Sequence, residues 1–193
     1  MENGKVYWSN WSGLSDVSQF IQVQRGLGAS ALGISSVGGT MNMVTKSTEA
    51  QKGGSAYFGI GNDGFRKYSV SFSTGLMDNG WAITFMGALN TGDGYVKGTN
   101  YEGWTYFGNI SKVINDHHKL SLTAFGAPQW HNQRSTMHYI EDYKNSPDGG
   151  RFNNGYGYIN GEAVGSGYGY NYYHKPQVSL NHYWTIDDKS TLT

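Results

Sequence analysis

Apolar and polar residues alternate along most of this chain with a period of two, the pattern of β-strands whose two faces meet different surroundings. In 67–77, Tyr68, Val70, Phe72 and Leu76 share one side while Lys67, Ser69, Ser71 and Ser73 share the other. In 81–91, Trp81, Ile83, Phe85 and Leu89 oppose Thr84 and Asn90. Segment 104–114 sets Trp104, Tyr106, Ile110 and Ile114 against Thr105, Asn109 and Ser111. Segment 119–127 sets Leu120, Leu122 and Ala124 against Ser121 and Thr123. Segment 177–186 sets Val178, Leu180, Trp184 and Ile186 against Gln177, Ser179, Asn181 and Thr185. From Ser55 onward this pattern predicts an antiparallel meander in which each strand pairs with the next.

The connections give the meander two unlike ends. Met77-Asp-Asn-Gly80, Asn115-Asp-His-His118 and Asp187-Asp-Lys-Ser190 carry the Asn, Asp and Gly of tight turns. Between them fall a medium connection, 92–103, and a very long one, about 131–175. Strand parity puts the three tight turns at one end and the longer connections at the other; Asn62-Asp-Gly-Phe65 is a tight turn at the long-loop end. The strands reach the roughly 9–11 residues that cross a bilayer at a tilt, whereas globular strands peak near 5–6. Trp81, Trp104 and Trp184 fall at strand ends, where an aromatic girdle would sit. The expected fold class is therefore all-β: a partial transmembrane antiparallel β-barrel with its tight turns in the periplasm. Its six strands and the start of a seventh cannot close a lumen, so they would belong to a larger barrel.

Residues 1–50 read differently. A helical turn is expected over 12–19, with Ser15 or Asp16 as N-cap. A half-buried strand follows, in which Ile21 and Val23 alternate with Gln22 and Gln24. Then come Arg25-Gly26, the small residues Ala29-Ser-Ala31, the pair Gly38-Gly39 and a second short strand, Asn42-Met-Val-Thr-Lys46. Polar residues 48–54 form a linker. This succession resembles the end of the plug domain in TonB-dependent outer-membrane receptors, where Arg-Gly and small residues lead into Gly-Gly and an Asn-Ile-Val-Thr-Lys-like strand. Gln22 and Gln24 stand where acids are common in that family, and Leu27-Gly28 where proline is often found. Met1-Glu-Asn-Gly-Lys-Val-Tyr-Trp-Ser-Asn-Trp11 is similar to a phrase inside the same plug. Ser121-Leu-Thr-Ala-Phe-Gly-Ala-Pro-Gln-Trp-His-Asn-Gln-Arg134 is similar to an early barrel segment of Bacteroidota-type receptors.

The resemblance implies that 1–50 is the C-terminal part of a plug, with Arg25, Gly26, Gly38, Gly39 and Asn42 as its motif. It implies that 51–193 holds the first barrel strands and an extracellular loop near 131–175. The function implied is energised uptake of a scarce nutrient (siderophore-bound iron, haem, a vitamin or an oligosaccharide) through the outer membrane of a Gram-negative bacterium. Outer-membrane lipid would surround the barrel, and the TonB energy-transducing complex would act through a part preceding Met1. On this reading Met1 is an internal methionine, the chain is a fragment, and 19–46 lies against the polar face of the strands.

Composition narrows the alternatives. Lys plus Arg equals Asp plus Glu at 14 each, so no basic field exists to hold nucleic acid. A mean hydropathy of −0.54, with no apolar run near the ~18 residues of a membrane helix, excludes a helical membrane protein. It does not exclude a barrel, whose alternating strands average out as polar. The chain has no cysteine, hence no disulfide or thiolate metal site. The rival reading is a secreted Gly- and Tyr-rich β-sandwich, a carbohydrate-binding or adhesion module. That reading explains the alternation and the tyrosines, but not the strand length, the loop asymmetry or the N-terminal segment.

Candidate ligand chemistry concentrates in the long loop. Tyr139, Tyr143, Tyr156, Tyr158, Tyr168, Tyr170, Tyr172 and Tyr173 lie there, interleaved with glycines. Tyrosine offers a stacking face and a hydroxyl at low entropic cost, which suits sugars, aromatic chelates or peptides. The same residues could equally pack the loop onto the strand ends or form a short hairpin. His131, His138, Glu141 and Asp142 could chelate a metal, but their spacing matches no recognised site and solvation explains them; His117-His118 falls in a turn. Gly26-Leu-Gly-Ala-Ser-Ala31 formally fits a dinucleotide fingerprint, with Glu49 near the place of a ribose-binding acid. Gly33, Gly38 and Gly39 would break the helix that the fingerprint needs. No catalytic constellation and no cofactor site stands out.

Overall fold

A computed structural model describes residues 11, 18–26, 38–45, 50–134, 137–164, 169–187 and 189–192. It is all-β and antiparallel. β1 (Ser18–Arg25) and β2 (Gly39–Thr45) pair with each other as a separate two-stranded unit. The main sheet runs β3 (Gly53–Ile60), β4 (Arg66–Leu76), β5 (Trp81–Gly92), β6 (Tyr101–Asn115), β7 (His118–Gly126), then β12 (Gln177–Asp187) and β13 (Ser190–Leu192). Its two edges do not pair with each other, so the sheet is open. Each long strand pairs with the next, and 67–77 and 81–91 are hairpin partners, as the alternation predicts. β3 begins at Gly53, so the end of the expected linker is already strand. Most of the expected helical turn lies outside the described residues, and Ser18 and Gln19 belong to β1.

The three tight turns share one device. Asn79 Oδ1 accepts the Trp81 N–H, Asn115 Oδ1 accepts the N–H groups of His117 and His118, and Asp187 Oδ1 accepts the Lys189 N–H. Each Asx side chain satisfies backbone donors that a chain reversal takes out of the ladder. At the opposite end, Asp63 (φ 55°) and Gly64 (φ 70°) both take positive φ between β3 and β4. This is the arrangement of a type I′ hairpin, whose twist matches that of its strands.

The long connection proves to be shorter than the sequence suggests. β8 (Gln129–Asn132) pairs with β6 in the same register as β7 does, and β11 (Tyr170–Tyr173) pairs with β8 in the register of β12 on β7. Thus 118–132 and 170–187 form one long hairpin, interrupted on each side by a proline, Pro128 and Pro176. Proline has no N–H for the ladder, yet the Pro128 carbonyl still accepts from Trp104 N at 2.8 Å. The true excursion is 133–169. It holds a short helix α1 (Ile140–Asn145), a 3-10 turn (Gly149–Arg151) and the small hairpin β9 (Gly157–Ile159) with β10 (Glu162–Val164).

The two faces of the main sheet are inverted relative to a soluble core. Tyr68, Val70, Phe72, Ile83, Phe85, Ile110, Leu122, Leu180 and Trp184 are all exposed, Leu180 to 69 %. On the opposite face Ser73, Thr84, Thr105, Asn109, Ser111 and Ser121 are buried, Ser111 to 1 %. These polar groups satisfy one another within and across strands. Asn109 Nδ2 donates to Ser121 Oγ (2.9 Å) and Thr123 Oγ1 (2.8 Å), Ser111 Oγ donates to Asn109 Oδ1 (2.7 Å), and Thr84 Oγ1 donates to Ser73 Oγ (3.0 Å). Each such bond contributes about 1 kcal/mol net, and more is lost when one partner is removed from a buried pair. Asn109→Ala, which removes three of these bonds while leaving Ser111 and Ser121 bonded to each other (2.9 Å), is expected to destabilise the sheet by about 2–3 kcal/mol. Urea-gradient unfolding in detergent reads the shift.

With an apolar face that the described residues leave exposed and with two sheet edges that do not pair with each other, residues 1–193 produced alone are expected to need detergent. Sedimentation of the chain with and without detergent tests this. A cooperatively unfolding, detergent-free monomer would overturn it.

Candidate functional site

The connections at the long-loop end are bound into one cluster. Arg151, from the 3-10 turn, forms an ion pair with Asp63 of the β3–β4 turn (2.6 Å). It also donates to the Tyr95 carbonyl (3.2 Å), and its guanidinium lies 4.8 Å from the centroid of the Tyr95 ring. One planar cation thereby holds all three connections: the first turn through Asp63, the β5–β6 connection through Tyr95, and the excursion that carries Arg151 itself. A second pin joins Lys97 Nζ to the Asp148 carboxylate. The buried Asn153 completes the set: its Nδ2 donates to the Lys97 carbonyl (2.7 Å) and its Oδ1 accepts from Gly155 N (3.1 Å). In addition the Lys97 N–H reaches the Arg151 carbonyl at 3.0 Å.

α1 is short and is closed at its start by its own sequence. Asp142 Oδ2 accepts the Tyr139 N–H (3.0 Å), while Glu141 and Asp142 face the positive end of the helix and Lys144 the negative end. Behind it His138 packs between Tyr143 and Phe152, with ring centroids 5.8 and 5.1 Å away. Arg134 donates to the Tyr143 hydroxyl (2.9 Å).

The tyrosines singled out in the sequence separate into groups. Tyr143 belongs to the aromatic cluster with His138 and Phe152. Tyr156 packs over Gly98 and edge-on against Tyr158, at 5.9 Å between centroids. A hydrogen bond with Tyr158 and partial desolvation hold the Tyr156 phenol above its ordinary pKa. Tyr139 and Tyr158 are open to solvent. Tyr170 and Tyr172 stand on the apolar face of the main sheet, since Tyr172 pairs with Trp130 and Trp130 with Glu102, and the Trp130 ring stacks on Tyr170 at 6.0 Å. Tyr173 alternates to the polar face, beside His131. Tyr168 lies outside the described residues. Tyr143 and Tyr156 therefore pack, whereas Tyr139 and Tyr158 present open rings.

Four motif residues of the N-terminal segment, Arg25, Gly26, Gly38 and Gly39, lie at one end of the β1–β2 hairpin, and Asn42 lies midway along β2. Arg25 pairs with Gly39 and Gln22 with Asn42, while Gly26 turns the chain out of β1 at φ 74° and Gly38 precedes β2. A Cβ on Gly39 would overlap the Gln24 carbonyl, so no other residue fits there. Because β1 and β2 are antiparallel, they are not the parallel strands joined by a helix that a dinucleotide site requires. His131, His138, Glu141 and Asp142 do not converge, and among the described residues no group of three metal-ligating side chains does. Arg151, Tyr95, Asp63, Lys97 and Asp148 carry the cluster unannounced by any motif. The one local hint is that Arg151 is the sole cation between Asp148 and Lys175.

Comparison of the sequence with protein-family models and with curated proteins finds no match.

Arg151→Ala is expected to loosen 93–100 and 146–153 together. The ion pair and the cation–π contact are each worth about 0.5–1 kcal/mol at exposed positions, so amide exchange there should accelerate about 5- to 30-fold with little change in β5–β7. The Lys97–Asp148 pin has a defined pH sense. Its hydrogen bond raises the Lys97 pKa, so its contribution is complete below the ordinary lysine value and fades only as pH climbs through the raised one. Protease nicking of the excursion is expected to be flat from pH 6 to 9 in the native chain and faster throughout in Lys97→Met.

Proposed function

We propose that this chain is the end of a plug and the first strands of a TonB-dependent outer-membrane receptor, one that takes up a scarce nutrient. The observation that carries the membrane part of the reading is the inverted sheet. A β-sandwich must cover its apolar face with a second sheet, whereas a membrane barrel turns that face to lipid and keeps the hydroxyls and amides inside.

Two belts flank the apolar band. At the tight-turn end stand Trp81, Trp184, His118 and His182; the His118 ring stacks on both His182 and Trp184, at 5.2 and 5.9 Å. Lys112 leaves the apolar face to place its ammonium 5.2 Å from the Trp81 ring centroid and to donate to the Asn79 carbonyl (2.6 Å), the snorkelling expected of a lysine near an interface. At the long-loop end stand Trp104, whose indole N–H donates to Glu102 (2.8 Å), Tyr106, hydrogen-bonded to His174 (2.9 Å), Trp130, Tyr170 and Tyr172. From Trp184 to His174 is about ten residues, or roughly 33 Å along a strand. At a tilt of about 40° that spans about 25 Å, the height of the apolar band in such barrels. The plug part and the TonB dependence are supported by the motif residues Arg25, Gly26, Gly38, Gly39 and Asn42, and transport would need the rest of the barrel.

Adjacent residues of opposite face provide the test. In the full-length protein in its bacterial host, Leu180→Arg is expected to cost about 2–4 kcal/mol as a charge facing lipid and to remove most of the protein from the outer-membrane fraction. Ser179→Arg, one residue away on the polar face, should leave it near the native level. Equal tolerance of both would sink the barrel. Separately, the receptor extended through its N-terminal part is expected to bind the periplasmic domain of TonB. Failure there would overturn the receptor assignment and leave the barrel standing.

A further inference from the structure

The polar face of the main sheet is not uniformly polar. Strand registers align its side chains in rows that cross β5, β6 and β7. One row reads Thr84, Asn109, Thr123, and the row on its tight-turn side Ala82, Ser111, Ser121: hydroxyls and amides that satisfy one another. The next row toward the long loops reads Met86, Phe107, Phe125, and these large apolar side chains are exposed to only 2 %, 2 % and 6 %. With Ala88 and Ala127 they form a buried apolar cluster on a face otherwise built of small polar groups. The Phe125 ring is covered by an aromatic residue far away in sequence: Trp11 stacks on it at 6.1 Å between centroids and 11° between planes.

A band of this kind has no use in a wall that meets only water, where it exposes Phe and Met at a cost of about 1.5–3 kcal/mol per side chain. Facing a second protein element, it is a seat. We infer that the row Met86, Phe107, Phe125 is a docking seat for Trp11 of this same chain. The occupant is fixed by what lies there: a flat indole over a phenyl ring, an aromatic pair worth more than its buried area alone. The hairpin β1–β2 is not that occupant, since Phe20, Ile21, Val23 and Met41 remain exposed on both of its faces. The seat itself stands on the sheet geometry; calling it an anchor between plug and barrel wall rests on the function proposed above.

Residues 1–193 hold no cysteine, so cysteines introduced there are the only thiols of this part of the chain. In the full-length protein, in native membranes and in detergent, Trp11→Cys with Phe125→Cys is expected to be joined by a short bis-maleimide. Trp11→Cys with Leu122→Cys, on the opposite face, should not be; proteolysis and mass spectrometry identify the joined peptides. Phe125→Cys alone should react slowly with a water-soluble maleimide, and at least 10-fold faster once Trp11→Ala is added. Absence of the first cross-link, or a labelling rate at Phe125→Cys indifferent to Trp11→Ala, would overturn the seat. A cross-link that forms while Leu180→Arg is tolerated would keep the seat and discard the outer-membrane reading, so the two can fail separately.

Discussion

One hydrogen-bond register carried without a slip through the middle of β4, β5, β6, β7 and β12 governs everything else in this molecule. Side chains alternate strictly along a strand, so a shift of one residue between any two neighbours would send a whole strand's apolar set to the wrong face. The register is held at the tight-turn end by Asn79, Asn115 and Asp187, whose side-chain oxygens accept the turn N–H groups. The irregularities in the main sheet, between Ser73 and Leu76, between Val113 and Asn115 and between Thr185 and Asp187, lie at the strand ends next to those turns. They adjust the turn without moving the rows.

Given the register, the energetics of the two faces follow. The polar face closes on itself through Asn109, Ser111, Ser121, Thr123, Ser73 and Thr84 and needs no outside partner for those groups. The apolar face does need one. Nine large side chains left about half exposed, at roughly half of 1.5–3 kcal/mol each, amount to something like 7–13 kcal/mol, comparable to the net stability of a typical domain. A sheet so arranged is stabilised by whatever apolar surface covers that face. The same asymmetry explains why Lys112 folds away from its own face toward the turn.

Period-two alternation made the meander, its pairing order and both faces readable from the sequence, because strands near ten residues long give five chances to see the same face repeat. The turns were readable for a chemical reason, the Asx and Gly residues that chain reversal demands. Three features were not. Phe107 and Phe125 break the face rule of their own strands, and their purpose appears only when register lines them up with Met86. The continuation of the long hairpin through β8 and β11 is hidden by Pro128 and Pro176, which in isolation read as loop. The tyrosines look alike in sequence, yet backbone parity separates Tyr170 and Tyr172 from Tyr173, and the excursion's own fold separates Tyr143 from Tyr139.

The excursion 133–169 shows how a long connection can be ordered without a core of its own. Its helix has six residues and no buried one, too little to hold a shape alone. What orders it is that it is clamped from two directions. Below, it rises from β8 and β11, which continue the sheet and deliver the chain at a fixed spacing and angle. Across, Arg151 reaches Asp63, a residue in the turn between β3 and β4, while the strands from which the excursion springs lie beyond β6. The chain therefore folds back over the ends of β5 and β6 instead of projecting from its stalk. A surface held this way keeps Tyr139 and Tyr158 open while their neighbours Tyr143 and Tyr156 are packed beneath them.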